Sequence, residues 1–174
     1  MLFKKMKLDG SYIIDIEKIE DDRGFFARAW DEEIFQELNL NSKIVQCNIS
    51  FNKIKGTIRG FHYQNLPYEE ARLVRCTKGN VCEIMVDIRK DSDSFLKWEK
   101  VELSAENHRM LYVPEGFALG FQTLENETEL FYQMFQRYVP EHICGVLWND
   151  PKLGIDWPLE PTIISERDKS WKLL

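Results

Sequence analysis

Val45-Gln46-Cys47-Asn48-Ile49-Ser50-Phe51-Asn52 alternates without a miss. Four apolar side chains, Val45, Cys47, Ile49 and Phe51, fall on one side of an extended chain. Gln46, Asn48, Ser50 and Asn52 fall on the other. A period of two predicts a half-buried strand, because successive side chains of a strand point to opposite faces. Outward from this stretch the same signature recurs. Arg72 to Thr77 predicts a strand, Lys78-Gly79-Asn80 a turn, and Val81 to Ile88 a returning strand, the pattern of a hairpin. Pro114-Glu115-Gly116 is a second turn, between Met110–Val113 and Phe117–Leu124. Leu130 to Tyr138 is a further, aromatic-rich strand. One stretch reads as a short helix near the N-terminus: Asp31 can cap it, and Ile34, Phe35 and Leu38 share one side. From Trp148 on, a chain rich in Pro, Gly and Trp is expected to wrap over the surface as irregular structure. Short strands at this spacing predict an all-β sandwich, jelly roll or barrel.

The chain has 174 residues, of which 44% are apolar, enough for one domain spanning 1–174 with a sizeable core. No apolar run approaches the roughly 20 residues of a membrane helix. MLFKKMKLDG has no apolar run after its lysines, so it does not read as a signal peptide, and the expected location is the cytoplasm. The net charge is −6 and no Lys/Arg cluster exists, which argues against duplex nucleic acid as a partner. A few arginines in a cleft still suit an anionic small ligand. Four cysteines occur without a CxxC, so no disulfide framework is expected; Cys47, Cys76 and Cys82 read as small buried hydrophobes. No two of the three histidines, His62, His108 and His142, lie within five residues. No metal site is therefore expected.

Two stretches carry polar groups in unusual company. The row Gln46-Asn48-Ser50-Asn52 has no charge, which suits a ligand's donors and acceptors as well as it suits water. Gly56 to Gln64, GTIRGFHYQ, sets Arg59 and His62 in a strand-like run. Strict alternation puts them on opposite faces, but Gly60 between them marks a possible bulge, which would bring both to one face. A histidine there suits a general base, although a hydrogen-bonded core histidine explains it too. Arg72, Arg75, Asp87 and Arg89 are strand charges that pair or face solvent. Tyr132 reads as amphipathic core, and Asp168, taken alone, as a surface carboxylate. None of this selects a reaction.

The motifs together do. DDRGFF (21–26), QCNIS (46–50), GTIRGFHYQ (56–64), LVRCTKGNV (73–81), VDIRKDS (86–92), LSAENHRMLYVPEGFALGF (103–121), ELFYQ (129–133), WNDPKLGIDWP (148–158) and SERD (165–168) run in order over nearly the whole chain. The chain resembles the dTDP-4-dehydrorhamnose 3,5-epimerases, nucleotide-sugar epimerases of the RmlC-like cupin class. The resemblance implies a cupin-type jelly roll and a cofactor-independent 3,5-epimerase, or a 3- or 5-epimerase, of a nucleotide-linked 4-keto sugar in polysaccharide or deoxysugar biosynthesis. It implies His62 as base, Tyr132 as acid on the opposite face, and Asp168 orienting the imidazole. It implies Arg59 and Arg72 as donors to the enolate oxygen, with Arg23, Gln46, Asn48 and Arg167 on the nucleotide and diphosphate. It also implies a homodimer with swapped N-terminal strands, in which Arg23 and Phe26 help close the neighbour's site. No metal is required.

Several positions depart from the family pattern. Arg72 and Arg167 stand where lysine is usual. Leu119, in GFALGF, stands where the family has GFAHGF, and Arg28 and Ile143 each replace a glutamate. The trio is kept while the ring of ligand contacts changes, and the expectation is a shifted preference in sugar, nucleotide or both. Two other readings use the same scaffold: a 3,4-ketoisomerase, which lacks the Tyr132 match, and a non-catalytic sugar-nucleotide-binding cupin.

Overall fold

Most strands pair with partners remote in sequence. The computed structural model describes residues 1–174. In chain order it contains β1 (Leu2–Lys5), β2 (Tyr12–Asp15), β3 (Ile19–Asp21), β4 (Gly24–Phe26), α1 (Glu32–Glu37), β5 (Gln46–Asn52), β6 (Thr57–Gln64), β7 (Arg72–Lys78), β8 (Asn80–Asp87), β9 (Trp98–Ser104), β10 (Met110–Val113), β11 (Phe117–Thr123), β12 (Thr128–Met134), β13 (Ile143–Gly145), β14 (Ile163–Ile164) and α2 (Glu166–Lys169). One sheet runs β1-β2-β10-β7-β12-β5 and the other β13-β6-β11-β8-β9, with β14 added parallel to β6. The two sheets face each other in a cupin-like jelly roll. β3 and β4 form a small hairpin that joins neither sheet. No helix is long and apolar enough to cross a membrane.

The turns act differently from the local expectation. β7 pairs with β10 and β12, whereas β8 pairs with β11 and β9. Lys78-Gly79-Asn80 is thus not a hairpin turn but a corner that carries the chain between sheets. Gly79 suits it: its φ is +76°, and a Cβ there would stand 2.5 Å from Thr128 Oγ1. Pro114–Gly116 likewise crosses from β10 in one sheet to β11 in the other. Turn residues dictate a reversal; the partner of each strand is dictated by which faces must be buried together.

The core between the sheets packs Val74, Leu111 and Leu130 of the first against Val81, Met85, Leu103 and Phe121 of the second. Outside the first sheet, α1 forms as expected, with the Asp31 carboxylate accepting from the Glu33 N–H. Its Phe35 is fully buried against Leu73, Tyr112 and Phe135, a burial that contributes about 1.5–3 kcal/mol.

Three expectations need correction. β5 turns its apolar side outward: Cys47, Ile49 and Phe51 are exposed while Asn52 is buried. Cys76 and Cys82 are buried, and burial pushes both thiols up to about 11, but Cys47 is not a core residue. The strand sits at the sheet edge, where nothing in its own chain covers that side. The C-terminal stretch is not wholly irregular, since it contributes β14 and α2. Ser165 caps α2 by accepting from the Asp168 N–H. Asp168 itself is buried rather than on the surface.

Candidate active site

The bulge expected at Gly60 is present. Leu119 of β11 lies opposite His62 and Phe121 opposite Arg59, so two residues of β6, Gly60 and Phe61, answer to Gly120 alone. Leu119 and Phe121 share a face of β11, and Arg59 and His62 therefore share a face of β6. Both glycines are needed for this. A Cβ on Gly60 would lie 2.5 Å from Gly120 Cα, and one on Gly120 would lie 2.9 Å from the Phe61 ring.

That face lines a cavity of about 460 Å³ between the sheets. The second sheet supplies Arg59, His62, Leu119 and Phe121, with Ile143 brought in by β13. The first sheet supplies Gln46, Asn48 and Ser50 from β5, Arg72 from β7, and Tyr132 and Met134 from β12. Tyr138 and Arg167 stand at its edge. The uncharged row of β5 thus faces a cavity, and His62 and Tyr132 come from opposite walls. A larger hollow of about 1200 Å³, beside the Ile88–Lys97 loop, contains none of His62, Tyr132 or Asp168.

Behind His62, Asp168 Oδ1 lies 2.6 Å from Nε2. With Nε2 donating to the carboxylate, Nδ1 is left as the basic nitrogen. Burial pushes the Asp168 carboxyl up, but the bond and charge of His62, the Gly60 amide and Ser165 outweigh it, and the group stays below the usual carboxylate range. Asp168 therefore remains an anion beside the imidazole. Tyr132 lies the other way: burial, then the nearby Glu83, hold its phenol well above its ordinary value, so it keeps its proton. One wall offers a base and the other an acid.

Arg59 is aimed by the β5 row, donating from Nε to Asn52 Oδ1 at 2.7 Å. Arg72 is buried and bonded to Glu70, which also lines the cavity. Two of the expected contacts do not reach this cavity. Arg23 is in the turn of the β3–β4 hairpin, paired with Asp21, and Arg28 is bonded to Asp31 at the cap of α1. The reversed charge of Arg28 is thus spent on a helix cap in its own chain, and Leu119 and Ile143 are the departures that touch the cavity. Sequence reading passed over Glu70, Met134 and Tyr138. Glu70 was legible in principle, two residues before Arg72 on the same side of an extended chain. It also passed over Trp171, whose ring lies 6.4 Å from that of His62 and packs over Gly145 and beneath Arg167.

A family model described as dTDP-4-dehydrorhamnose 3,5-epimerase matches residues 5–174. The chain belongs to this family. The dTDP-4-dehydrorhamnose 3,5-epimerase of Methanothermobacter thermautotrophicus is 43% identical to it, over 99% of this chain and 94% of its own. The enzyme of Bacillus anthracis, solved with TDP and PPi bound, matches with a TM-score of 0.96 at 37% identity, covering 99% of each chain. The Legionella pneumophila enzyme, in complex with dTDP-4-keto-L-rhamnose, matches with a TM-score of 0.93 at 36% identity, covering 99% of this chain and 92% of that one. As a dTDP-4-dehydrorhamnose 3,5-epimerase family member the chain is an isomerase, and its cavity carries His62 and Tyr132 on opposite walls. Inverting a carbon takes a proton from one side and returns one to the other.

Proposed function

We propose that residues 1–174 act as one catalytic domain that epimerises dTDP-4-dehydro-6-deoxyglucose at C3 and C5, with His62, Tyr132 and Asp168 as its proton-transfer groups. The observation that carries this reading is the base and the acid on opposite walls of one cavity, which the guanidinium groups of Arg59 and Arg72 also line. The C4 ketone acidifies the protons on its neighbouring carbons. His62 Nδ1 takes one, and the electron pair moves into the ketone to form an enolate. Arg59 and Arg72 stabilise the enolate oxygen; a donor of this kind is worth about 10²–10³ in kcat. Tyr132 then donates its phenolic proton to the opposite face of the carbon. Asp168 keeps Nε2 protonated and favours the imidazolium that forms. The chain's own acid, base and cations suffice for these steps, and no metal or cofactor is invoked.

Gln46, Asn48 and Arg167 are assigned to the nucleotide and diphosphate, since planar guanidinium groups bind phosphate oxygens in pairs. The relatives named for dTDP sugars support thymidine as the base. The four free cysteines suit a reducing cytoplasm. We also infer a homodimer. The outward side of β5 leaves Ile49 67% exposed, and the β3–β4 hairpin leaves Ile19 and Phe26 69% exposed. Such a patch on a small protein calls for a partner. β1 and β2 complete a sheet in their own chain, so the hairpin bearing Arg23 and Phe26 is the segment free to cross to a neighbour's cavity.

Proton NMR in deuterated water tests the substrate. Solvent deuterium is expected at both C3 and C5 of dTDP-4-dehydro-6-deoxyglucose, with CDP- and GDP-linked 4-keto sugars slower in kcat/KM. Faster turnover of either would overturn the thymidine assignment, and label at one carbon alone would reduce the enzyme to a monoepimerase. Migration of the ketone from C4 to C3 would mark a ketoisomerase, a reading Tyr132 counts against.

A further inference from the structure

Glu83 sits in the middle of β8, opposite Phe121 of β11 and Val101 of β9, flanked on its inward side by Val81 and Met85. It has no exposed surface, and neither carboxyl oxygen has a hydrogen-bond partner. β11 presents Phe121 to it and β9 presents Val101, while the Glu99 carboxylate, two residues along β9, accepts from the Leu8 N–H. β7 presents Arg72 and Cys76, and β12 presents Tyr132, whose phenol also feels the charge of Arg59 from β6. Arg72 is the cation nearest to hand, yet its Nη2 is bonded to Glu70, while its Nε is buried without a partner. One guanidinium thus stands among two carboxyl groups, and Glu70 holds it. An ionised carboxylate left without a partner in the interior is so costly that the group takes up a proton instead.

We propose that Glu83 is a positioning residue of this epimerase: a buried carboxylic acid that keeps its proton in the resting enzyme, so that Arg72 faces one carboxylate rather than two and the acidity of Tyr132 is kept for the enolate. The role rests on the functions assigned above to those two residues. Burial drives the Glu83 carboxyl up to about 8, with Arg72 opposing only in part. The acid is therefore neutral at pH 7 and ionises as the pH rises through 8. Its negative charge then opposes an enolate and holds the Tyr132 proton more tightly. Tyr132 is itself too weak an acid to titrate in that window. The activity of the free enzyme is expected to fall on the alkaline side because of a group that touches no substrate.

Two measurements decide it. The first is a carbon NMR titration of wild-type enzyme labelled at its glutamate carboxyl carbons. One resonance is expected to titrate near 8 and to be missing from Glu83→Gln. If every glutamate titrates below pH 6, Glu83 is an anion at neutral pH and the proposal is wrong. The second is the pH profile of kcat/KM on dTDP-4-dehydro-6-deoxyglucose. Wild type is expected to lose about tenfold between pH 7 and pH 9, as one proton with a pKa near 8 requires. Glu83→Gln, which cannot ionise, is expected to lack that decline. A Glu83 resonance at 8 with a wild-type profile flat to pH 9, or the same decline in Glu83→Gln, overturns the positioning role. The first of these outcomes needs no variant to fold. Failure of the epimerase reading looks different: no deuterium enters the sugar at any pH, which removes the role as well, while the NMR titration still reports the proton.

Discussion

His62 gains its basic nitrogen from a partner 106 positions away in the sequence, since Asp168 occupies Nε2 and leaves Nδ1 without that bond. His62→Ala and His62→Asn are each expected to cut deuterium incorporation at C3 and C5 by at least about 10²-fold, the low end for one general base. Exchange at the wild-type rate in either variant would remove His62 from the chemistry. Tyr132 stands on the other wall and makes a different prediction. Tyr132→Phe keeps the base and loses the acid. Exchange with solvent is expected to persist while net inversion drops about 10²–10⁴-fold. Equal loss of both would contradict delivery of the proton from the opposite side. Leu119 lies across the β6–β11 register from His62, is nearly fully buried and gives the cavity an apolar wall with no hydrogen-bonding group.

At the scale of elements, β6 carries the argument. An unbroken strand would send Arg59 and His62 to opposite sides, one into the cavity and one away from it. The bulge at Gly60–Phe61 aligns them, and it depends on the backbone of β6 lying close to Gly120. Gly60→Ala must push β11 away and hold alanine at a φ of +125°. It is expected to destabilise the protein by about 1–3 kcal/mol in urea denaturation, the usual cost of overpacking, and to lower kcat more than its loss of folded protein explains. A variant as stable and as active as wild type would mean that the two strands do not depend on that close approach. This feature was legible beforehand, because a glycine inside a strand pattern has few other reasons to be there. The cap of α1 was legible for a similar reason: Asp31 precedes the only helical run of apolar residues, and its carboxylate bonds the second amide beyond it.

For the molecule as a whole, the uncovered apolar patch sets the expectation. Sedimentation of the wild type is expected to give a dimer, and Ile19→Lys combined with Phe26→Asp, both on the exposed hairpin, to give a folded monomer. If the hairpin of one protomer closes the other's cavity, the monomer also binds dTDP about tenfold or more weakly, the effect of losing one charge-assisted contact worth about 1.5–3 kcal/mol. A fully active wild-type monomer at working concentration would refute this assembly.

What the sequence determined by itself is local. The alternation of Val45–Asn52 made a strand of it, Asp31 made a helix start, Gly60 made a bulge, and the ordered motifs from Asp21 to Asp168 identified the family. These features act through a residue and its near neighbours, so they can be read without knowing what lies across the sheet. The tertiary structure decided the rest. It sent β7 and β8, joined by a turn that looks like a hairpin, into different sheets, because each strand's buried face found its match elsewhere. It turned the apolar side of β5 outward and its amides inward, a choice alternation cannot make. It buried Asp168 behind His62, left Arg28 on a helix cap, and enclosed Glu83 with no partner for its charge. Each of these depends on which long-range surfaces are removed from water together, and that is a property of the packed chain rather than of any segment in it.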